Sequence, residues 1–456
     1  MSEQEATLDE FTPETEEETG EQTSDRHLPE VGEIPDDWNL VTVEEISDNL
    51  LGGGTPSKSE EDYWDGDIPW ASVKDLNGIE LYETEDYITE CGVENSATNI
   101  APANSIIIST RMTVGEPFLN KVEMAINQDM KAIIPNKKRA NPLFLVYSLW
   151  DKDPYLKSLG RGTTVDGITT KDLLLTHLGL PSLEEQRKIA TVLYTVDRAI
   201  EKTEEIIEHL DILKSGVVQE VFSEGTLDHE TYQTTKSGGV PEGWELAAFE
   251  EVITDTRYGT DTKSNTNSNG YPTLRIPNVV NKRITVDNLK HTPLDEDELE
   301  RLELEDGDIL VLRTNGNPNY VGRCATFHER DESFVFASYL IRVRVDESRV
   351  SPGYVREFLN SPRGRSEMAG WIRSSAGNYN LSVGAMEKFQ MPIPSLEEQD
   401  EIVEKITEVE KAIETNRNYR DNLQRLKRGL MQDLLSGTVR TTDTNIQVPD
   451  DVLQHG

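Results

Sequence analysis

Residues 180–207 read LPSLEEQRKIATVLYTVDRAIEKTEEII, and residues 393–420 read IPSLEEQDEIVEKITEVEKAIETNRNYR. The same Pro-Ser-Leu-Glu-Glu-Gln start is built twice, and the offset from Pro181 to Pro394, 213 positions, then holds without a gap. Ile189 matches Ile402, Val196 matches Val409, and Ala199-Ile200-Glu201 matches Ala412-Ile413-Glu414. Further on, Leu213-Lys214 matches Leu426-Lys427, Gly216 matches Gly429, Gln219 matches Gln432, and Ser223 and Ser436 close the run. A second echo lies upstream, IPDDWNLVTVEEI from Ile34 and VPEGWELAAFEEV from Val240, at an offset of 206. The chain is a tandem repeat of two units.

Each repeated block predicts a long helix. Ser182 and Ser395 are N-caps with Glu185 and Glu398 three residues on, the spacing of a capping box. Apolar residues follow in steps of four and three: Ile189, Leu193, Val196, Ile200, Ile207 and Leu210, then Ile402, Ile406, Val409, Ile413, Leu423 and Leu430. That period, near 3.5, is a coiled-coil seam; an amphipathic helix lying on a core is the plainer reading. Thr203 and Asn416 share one seam position, where a polar residue fixes register. Gly216 and Gly429 are costly inside a helix, and their matched placement predicts a close approach of another backbone.

Between the helices lie two stretches, 34–181 and 240–394, with short strand-like runs (SIIIST, KAIIP, DILVLRT, SYLIRVRV) punctuated by Gly, Asn and Pro. Each reads as a globular α+β domain. Pro69 aligns with Pro272 and Ile106 with Ile309, while much of the rest does not: a shared framework with diverged surface. The expected order is a disordered acidic tail (1–33), domain one (34–181), helix one (182–223), a polar linker (224–239), domain two (240–394), helix two (395–437) and a C-terminal tail (438–456).

Composition narrows the function. No long apolar run spans a membrane, and the first residues are acidic and polar, unlike a signal peptide. Cys91 and Cys324 are the only cysteines, so neither a disulfide framework nor zinc spacing exists, and a reducing cytoplasm is expected. The net charge of −40 taken alone argues against a nucleic-acid partner. It fits an acidic scaffold that binds proteins, or adaptation to a salty cytoplasm, where the Debye length falls to roughly 3 Å. The carboxylates are spread along the chain as well as in the tail, which favours salt adaptation; on that reading the fold persists in molar KCl.

Several catalytic lookalikes fail. GGGTPSKS from Gly52 resembles a phosphate loop, but Ser57 stands where the second glycine is required. NPNY at Asn317 resembles the Asn-Pro-Pro-Tyr loop of amino-methyltransferases, but Asn319 breaks it and no glycine-rich cofactor loop precedes it. The seven histidines show no paired metal spacing. No nucleophile–base order stands out, so the chain does not read as an enzyme.

What remains is recognition chemistry. Domain one offers Lys58, Lys74, Arg111, Arg161 and Thr163. Domain two offers Tyr258, Lys263, Arg275, Asn278, Lys282, Arg283, Arg313, Asn315 and Asn317. Each domain nears its end with a polar loop, GRGTTVDGIT or RSSAGNYNLS. Arg and Asn read guanine and adenine edges, while Lys and Thr more often hold phosphates. Any one of these is more simply a solvated surface residue; the group carries the signal, because basic residues stand out in so acidic a chain.

With IPDDW and VPEGW opening each unit, GGGTPSKSEEDYWDGDIPWASVKDL in domain one, LPSLEEQRKIA and IPSLEEQDEIV opening the helices, and LKSGVVQEVFSEG and LKRGLMQDLLSG ending them, the chain resembles the DNA-specificity subunit of type I restriction–modification systems. Domain two departs from the pattern, with YGTDTKSN from Tyr258 in place of Gly-Gly-Thr-Pro. The resemblance implies an α+β fold of two target-recognition domains, each reading one half of a split double-stranded DNA site, held apart by two antiparallel coiled-coil helices. It implies a non-catalytic, cytoplasmic chain without a cofactor of its own. Two methyltransferase subunits that bind S-adenosylmethionine flank it, and restriction subunits using ATP and Mg can join. The rival class is the acidic coiled-coil scaffold that binds proteins and not DNA.

Overall fold

Both repeated starts open one unbroken helix, Leu183–Ser223 of 41 residues and Leu396–Leu435 of 40. The computed structural model describes residues 27–28, 31–76, 78–111, 113–160, 167–235, 238–280, 282–375 and 377–453. The chain divides into two compact units, Met1–Glu201 with Asp421–Gly456, and Lys202–Arg420. Each long helix therefore contributes residues to both units. Among the described residues no helix is long and apolar enough to cross a membrane.

In the first unit a sheet runs in the order Ser47–Gly52, Met130–Pro135, Ile106–Ser109, Gly115–Asn120 and Glu80–Leu81. A second sheet runs Asp86–Ile88, Trp64–Ala71, Met124–Ile126, Ile100–Ala101. The isoleucine run predicted as a strand is the middle of the first sheet: Ile106, Ile107 and Ile108 are wholly buried. Burial on both faces explains why it reads as continuous apolar sequence and not as alternation.

The second unit repeats the plan. Its sheets are Ile253–Tyr258, Leu340–Val345, Ile309–Leu312, Cys324–Thr326, and Lys290–Thr292, Tyr271–Leu274, Val335–Phe336. In both, the second sheet contains a parallel pair, Trp70 with Ala125 in one and Thr273 with Val335 in the other. A helix follows the main sheet in each, Pro142–Asp151 and Pro352–Asn360. Gly53 and Gly259 hold one position in this plan: an added Cβ would sit 1.8 Å from the Asn127 carbonyl in the first and 2.2 Å from the Phe336 carbonyl in the second. The glycines of the phosphate-loop lookalike thus admit a neighbouring strand, and no α-helix follows to complete such a loop.

The repeated motif is a lock. Ser182 and Ser395 do cap, accepting the Glu185 and Glu398 N–H groups at 3.3 Å. The glutamate carboxylates, however, do not close the expected boxes. Glu185 accepts the Trp38 indole N–H at 3.3 Å, and Glu398 accepts that of Trp244 at 2.9 Å. Both carboxylates are nearly buried, which a return to the helix's own first N–H would not achieve. Next to them, Gln186 accepts the Asn141 N–H and donates to the Pro181 carbonyl; Gln399 does the same with Ser351 and Pro394. Asn141 and Ser351 are the N-caps of the two shorter helices. One Glu-Gln pair thus ties the domain's opening tryptophan, the long helix and the shorter helix together.

The segments after the helices complete the lock. Arg440 grips Glu185 through Nε and Nη2, both at 2.8 Å, and reaches Asp37. His229 contacts Glu398 at 2.8 Å, and the Thr226 N–H donates to it at 3.0 Å. The expected C-terminal tail carries Val452, fully buried in the first unit's core. Part of the expected linker forms a hairpin, Tyr232–Thr235 with Gly238–Pro241. The expected disorder of 1–33 is corrected at its end, where His27–Leu28 pairs with Gly32–Glu33; residues 1–26 lie outside those described.

Burial pushes the Glu398 carboxyl up, but donors from His229, Thr226, Trp244 and Leu227 hold it below the ordinary glutamate value. Its contribution to stability is then present above the unfolded-chain value and lost as pH falls through the folded one. Melting temperatures measured against pH should show Glu398→Gln less stable than the parent near neutrality, with the two converging on acidification. A gap that does not change with pH would remove the charge from this account.

The helix seam is buried at Ile189, Leu193, Val196 and Ile207, and at Ile402, Ile406 and Ile413. Ile189 and Leu193 belong to the first unit's core, and Ile402 and Ile406 to the second's, so the opening turns act as amphipathic helices on a core. Among the described residues of this chain nothing comes close to Gly216 or Gly429: an added Cβ meets nothing within 4 Å at either.

Candidate nucleic-acid interface

The main strand Ile309–Leu312 ends at Arg313, where the second unit gathers its polar loops. The Arg313 N–H donates to Tyr339 O at 3.0 Å, and the Leu381 N–H donates to Arg313 O at 2.8 Å. Thr314–Asn315 then pairs with the hairpin Arg373–Ser375 and Asn378–Asn380, which is the polar loop predicted near the domain's end. Tyr258, the last residue of the edge strand, comes to the same corner, with the Arg313 guanidinium carbon 4.5 Å from its ring centroid.

The two asparagines of the turn serve the turn. Asn315 Oδ1 accepts the Asn317 N–H at 2.8 Å, and Asn317 Oδ1 accepts the Asn319 N–H at 3.0 Å. These successive Asx turns explain the asparagines without a base contact. Asn278 is also committed: it is 1% exposed, accepts the Arg275 N–H, and donates to Thr285 O and Asp287 O. Arg275 spans a loop to Asn288 O. Lys263 is exposed on the stretch after Tyr258. Lys282 is ion-paired to Glu357 and Glu410, and Arg283 to Glu414, so both tie the domain to the second long helix.

Three arginines complete the corner. Arg323 lies over the Tyr320 ring at 4.5 Å and donates to Asn319 O. Arg365 donates to Val321 O at 2.6 Å. Arg373 donates to Gly370 O at 2.8 Å. Burial, and then the Arg323 charge, push the Arg365 guanidinium below the ordinary arginine value. Elsewhere in this unit Lys214, Lys282, Arg283, Arg342, Arg344 and Arg417 all meet carboxylates. Among the described residues Arg313, Arg323, Arg365 and Arg373 meet only neutral groups, as do Arg275 and Arg363. In a chain of net charge −40, four arginines around one loop cluster thus carry positive charge that no carboxylate of the described residues pairs with. The sequence signal was the RGR of residues 363–365, passed over beside the more conspicuous asparagines.

The first unit is less concentrated. Arg111 is 62% exposed, 3.8 Å from Asp129, and bridges Gly167 where the main strand ends, one position beyond the place of Arg313. Lys58 is exposed on a turn. Lys74 is spent on Glu85 at 3.1 Å and Asp86 at 3.7 Å, and its hydrogen bond to Glu85 raises its pKa. No direct contact joins Lys58, Lys74 and Arg111. Arg161 and Thr163 lie outside the described residues. Among the described residues no group of three or more His, Cys, Asp or Glu comes together as metal ligands would.

A family model described as the type I restriction modification DNA specificity domain matches residues 35–211 and again 241–425. The chain belongs to this family. The specificity subunit of the MjaVIII type I restriction enzyme of Methanocaldococcus jannaschii is 24% identical over 415 residues, 90% of this chain and 95% of that one. That of the EcoKI enzyme of Escherichia coli is 25% identical over 428 residues, 90% of each chain. Among solved structures, the S subunit of a type I restriction–modification system from M. genitalium superposes with a TM-score of 0.56 at 14% identity, over 88% of this chain and 96% of that one, showing a common fold. The two matched stretches of the specificity family begin at the segments carrying Trp38 and Trp244, so each includes one complete Trp–Glu–Gln lock.

Proposed function

We propose that this chain is the non-catalytic DNA-specificity subunit of a type I restriction–modification complex, in which each globular domain reads one half of a split double-stranded DNA site. The observation that carries it is the corner around Arg313, where arginines without counter-ions gather at one place on a framework that is otherwise repeated. A protein-binding acidic scaffold gives no reason to gather four such arginines at one corner. The helices form an antiparallel coiled coil that fixes the gap between half-sites; within the second unit, Lys214 meets Glu410 and Asp211 meets Arg417, an antiparallel order.

Two methyltransferase subunits dock on the helices. In support, Ile206 and Tyr419 are 46% and 53% exposed, Leu213 and Leu426 are 51% and 50% exposed, and each pair is separated by the repeat offset. Gly216 and Gly429, open to space, follow three residues later on each helix. Similar apolar faces presented twice suit two copies of one partner. S-adenosylmethionine, and ATP with Mg where restriction subunits join, belong to those partners, in the cytoplasm.

Replacing residues 240–394 with the equivalent domain of a relative tests the reading. Sequencing of methylated genomic DNA is expected to show one half of the motif changed and the other retained. A change in both halves, or in neither, would refute independent reading by the two domains.

A further inference from the structure

We propose that Arg313, whose guanidinium lies over the Tyr258 ring, reads a guanine in the half-site bound by the second domain; this rests on the DNA-reading role above. Both ends of the contact are fixed before any ligand arrives. The Arg313 backbone is hydrogen-bonded on each side, to Tyr339 O and from the Leu381 N–H. The Tyr258 hydroxyl accepts the Val383 N–H at 3.0 Å. The ring contact, 4.5 Å from the guanidinium carbon to the ring centroid, restricts the side chain, so less of its freedom is left to lose on binding.

The guanidinium is not consumed within the protein. Nη1 makes a long contact of 3.4 Å to Ser338 O, and Nε is buried without a partner. Among the described residues Nη2 has no hydrogen bond and no carboxylate neutralises the charge. Arg344, by contrast, is fully engaged, with Asp308 on Nε and Nη2 and Glu305 on Nη1. A planar donor fork fits the O6 and N7 acceptors of guanine and is opposed by the amino donor of adenine. Arg323, Arg365 and Arg373, on the adjoining turn, helix and hairpin strand, suit the phosphates that position a duplex.

The test uses the chain assembled with its methyltransferase subunits, and duplexes carrying the motif that the complex methylates. Each guanine of the second domain's half-site, on either strand, is replaced in turn by 7-deazaguanine, which pairs normally but lacks the N7 acceptor. The parent complex is expected to lose about tenfold in affinity at one position. Arg313→Leu, which removes the donors, should no longer respond at that position while responding as before elsewhere; Arg313→Lys, whose ammonium can still reach N7, should respond more weakly. Tyr258→Phe, which keeps the ring, should retain the response, and Tyr258→Leu should weaken it. A half-site with no responsive guanine, or an Arg313→Leu complex that still responds wherever the parent does, would overturn the assignment. A parent complex that prefers no duplex sequence would instead remove the DNA-reading role on which it rests.

Discussion

Asp197→Ala is expected to lower the unfolding free energy of the first unit by about 3–5 kcal/mol, because it strands a buried ammonium group. Asp197 accepts the Tyr147 hydroxyl at 2.7 Å and meets Lys427 Nζ at 2.6 Å. The Lys427 and Asp197 side chains are only 12% and 11% exposed, and Lys427 Nζ lies 4.0 Å from the Trp150 ring centroid. Burial already holds the Lys427 ammonium below the ordinary lysine value, although Asp197 opposes it. Without Asp197 it falls further. The unfolded chain then binds that proton more tightly than the folded one, so the variant regains stability as pH rises through the alkaline range. Urea unfolding at neutral and alkaline pH checks both points.

The double variant Asp197→Leu with Lys427→Met separates charge from packing. It removes both charges, so most of the loss should return, less about 1–3 kcal/mol for the unpaired Tyr147 hydroxyl. A single-variant loss below about 1 kcal/mol, the range of an exposed pair, would refute the argument. The repeat supplies an internal control. Lys214 and Glu410 hold the corresponding positions at 2.8 Å but are 31% and 22% exposed, and Lys282 gives Glu410 a second lysine. Lys214→Ala should therefore cost less than Asp197→Ala.

Local periodicity made the helices and strands legible. The seven-residue spacing from Ile189 onward and the isoleucine run at 106–108 each follow from which side chains face a core. The partners of Glu185 and Glu398 were not legible, since Trp38 and Trp244 stand 147 and 154 positions away. The three-residue spacing from Ser to the second Glu in Ser-Leu-Glu-Glu suits a capping box, and only tertiary packing takes the carboxylates elsewhere. The interface was legible in kind and not in detail. Arg111, Arg313 and Tyr258, offered by the sequence as recognition residues, stand at strand ends beside polar loops. Asn278, Asn315 and Asn317 have the chemistry of base readers, yet turn geometry claims their amide oxygens. Lys74, Lys282 and Arg283 have the right charge, but carboxylates distant in sequence, or on the next strand, neutralise it.

Lengthening both long helices by seven residues is expected to widen the unread gap in the methylated motif by about three base pairs. The first helix has 41 residues and the second 40, each without a break, so at 1.5 Å per residue each is roughly 60 Å long. Seven residues keep the heptad phase and add roughly 10 Å. At about 3.4 Å per base pair along one strand, that is about three base pairs. The insertions belong beside Glu204 and beside Arg420, which border one shallow groove with Glu208 and Asp211. Placed there, they leave Asp211–Arg417 and Lys214–Glu410 in register on one side of the insertion and Asp197–Lys427 on the other. An insertion in one helix alone would force the other to slip or loop, and the gap should then change by less. Neither domain's loops are touched, so both half-sites should keep their bases. Methylated-motif sequencing of the strain reads the gap directly. An active complex with an unaltered gap would mean that something other than helix length spaces the half-sites.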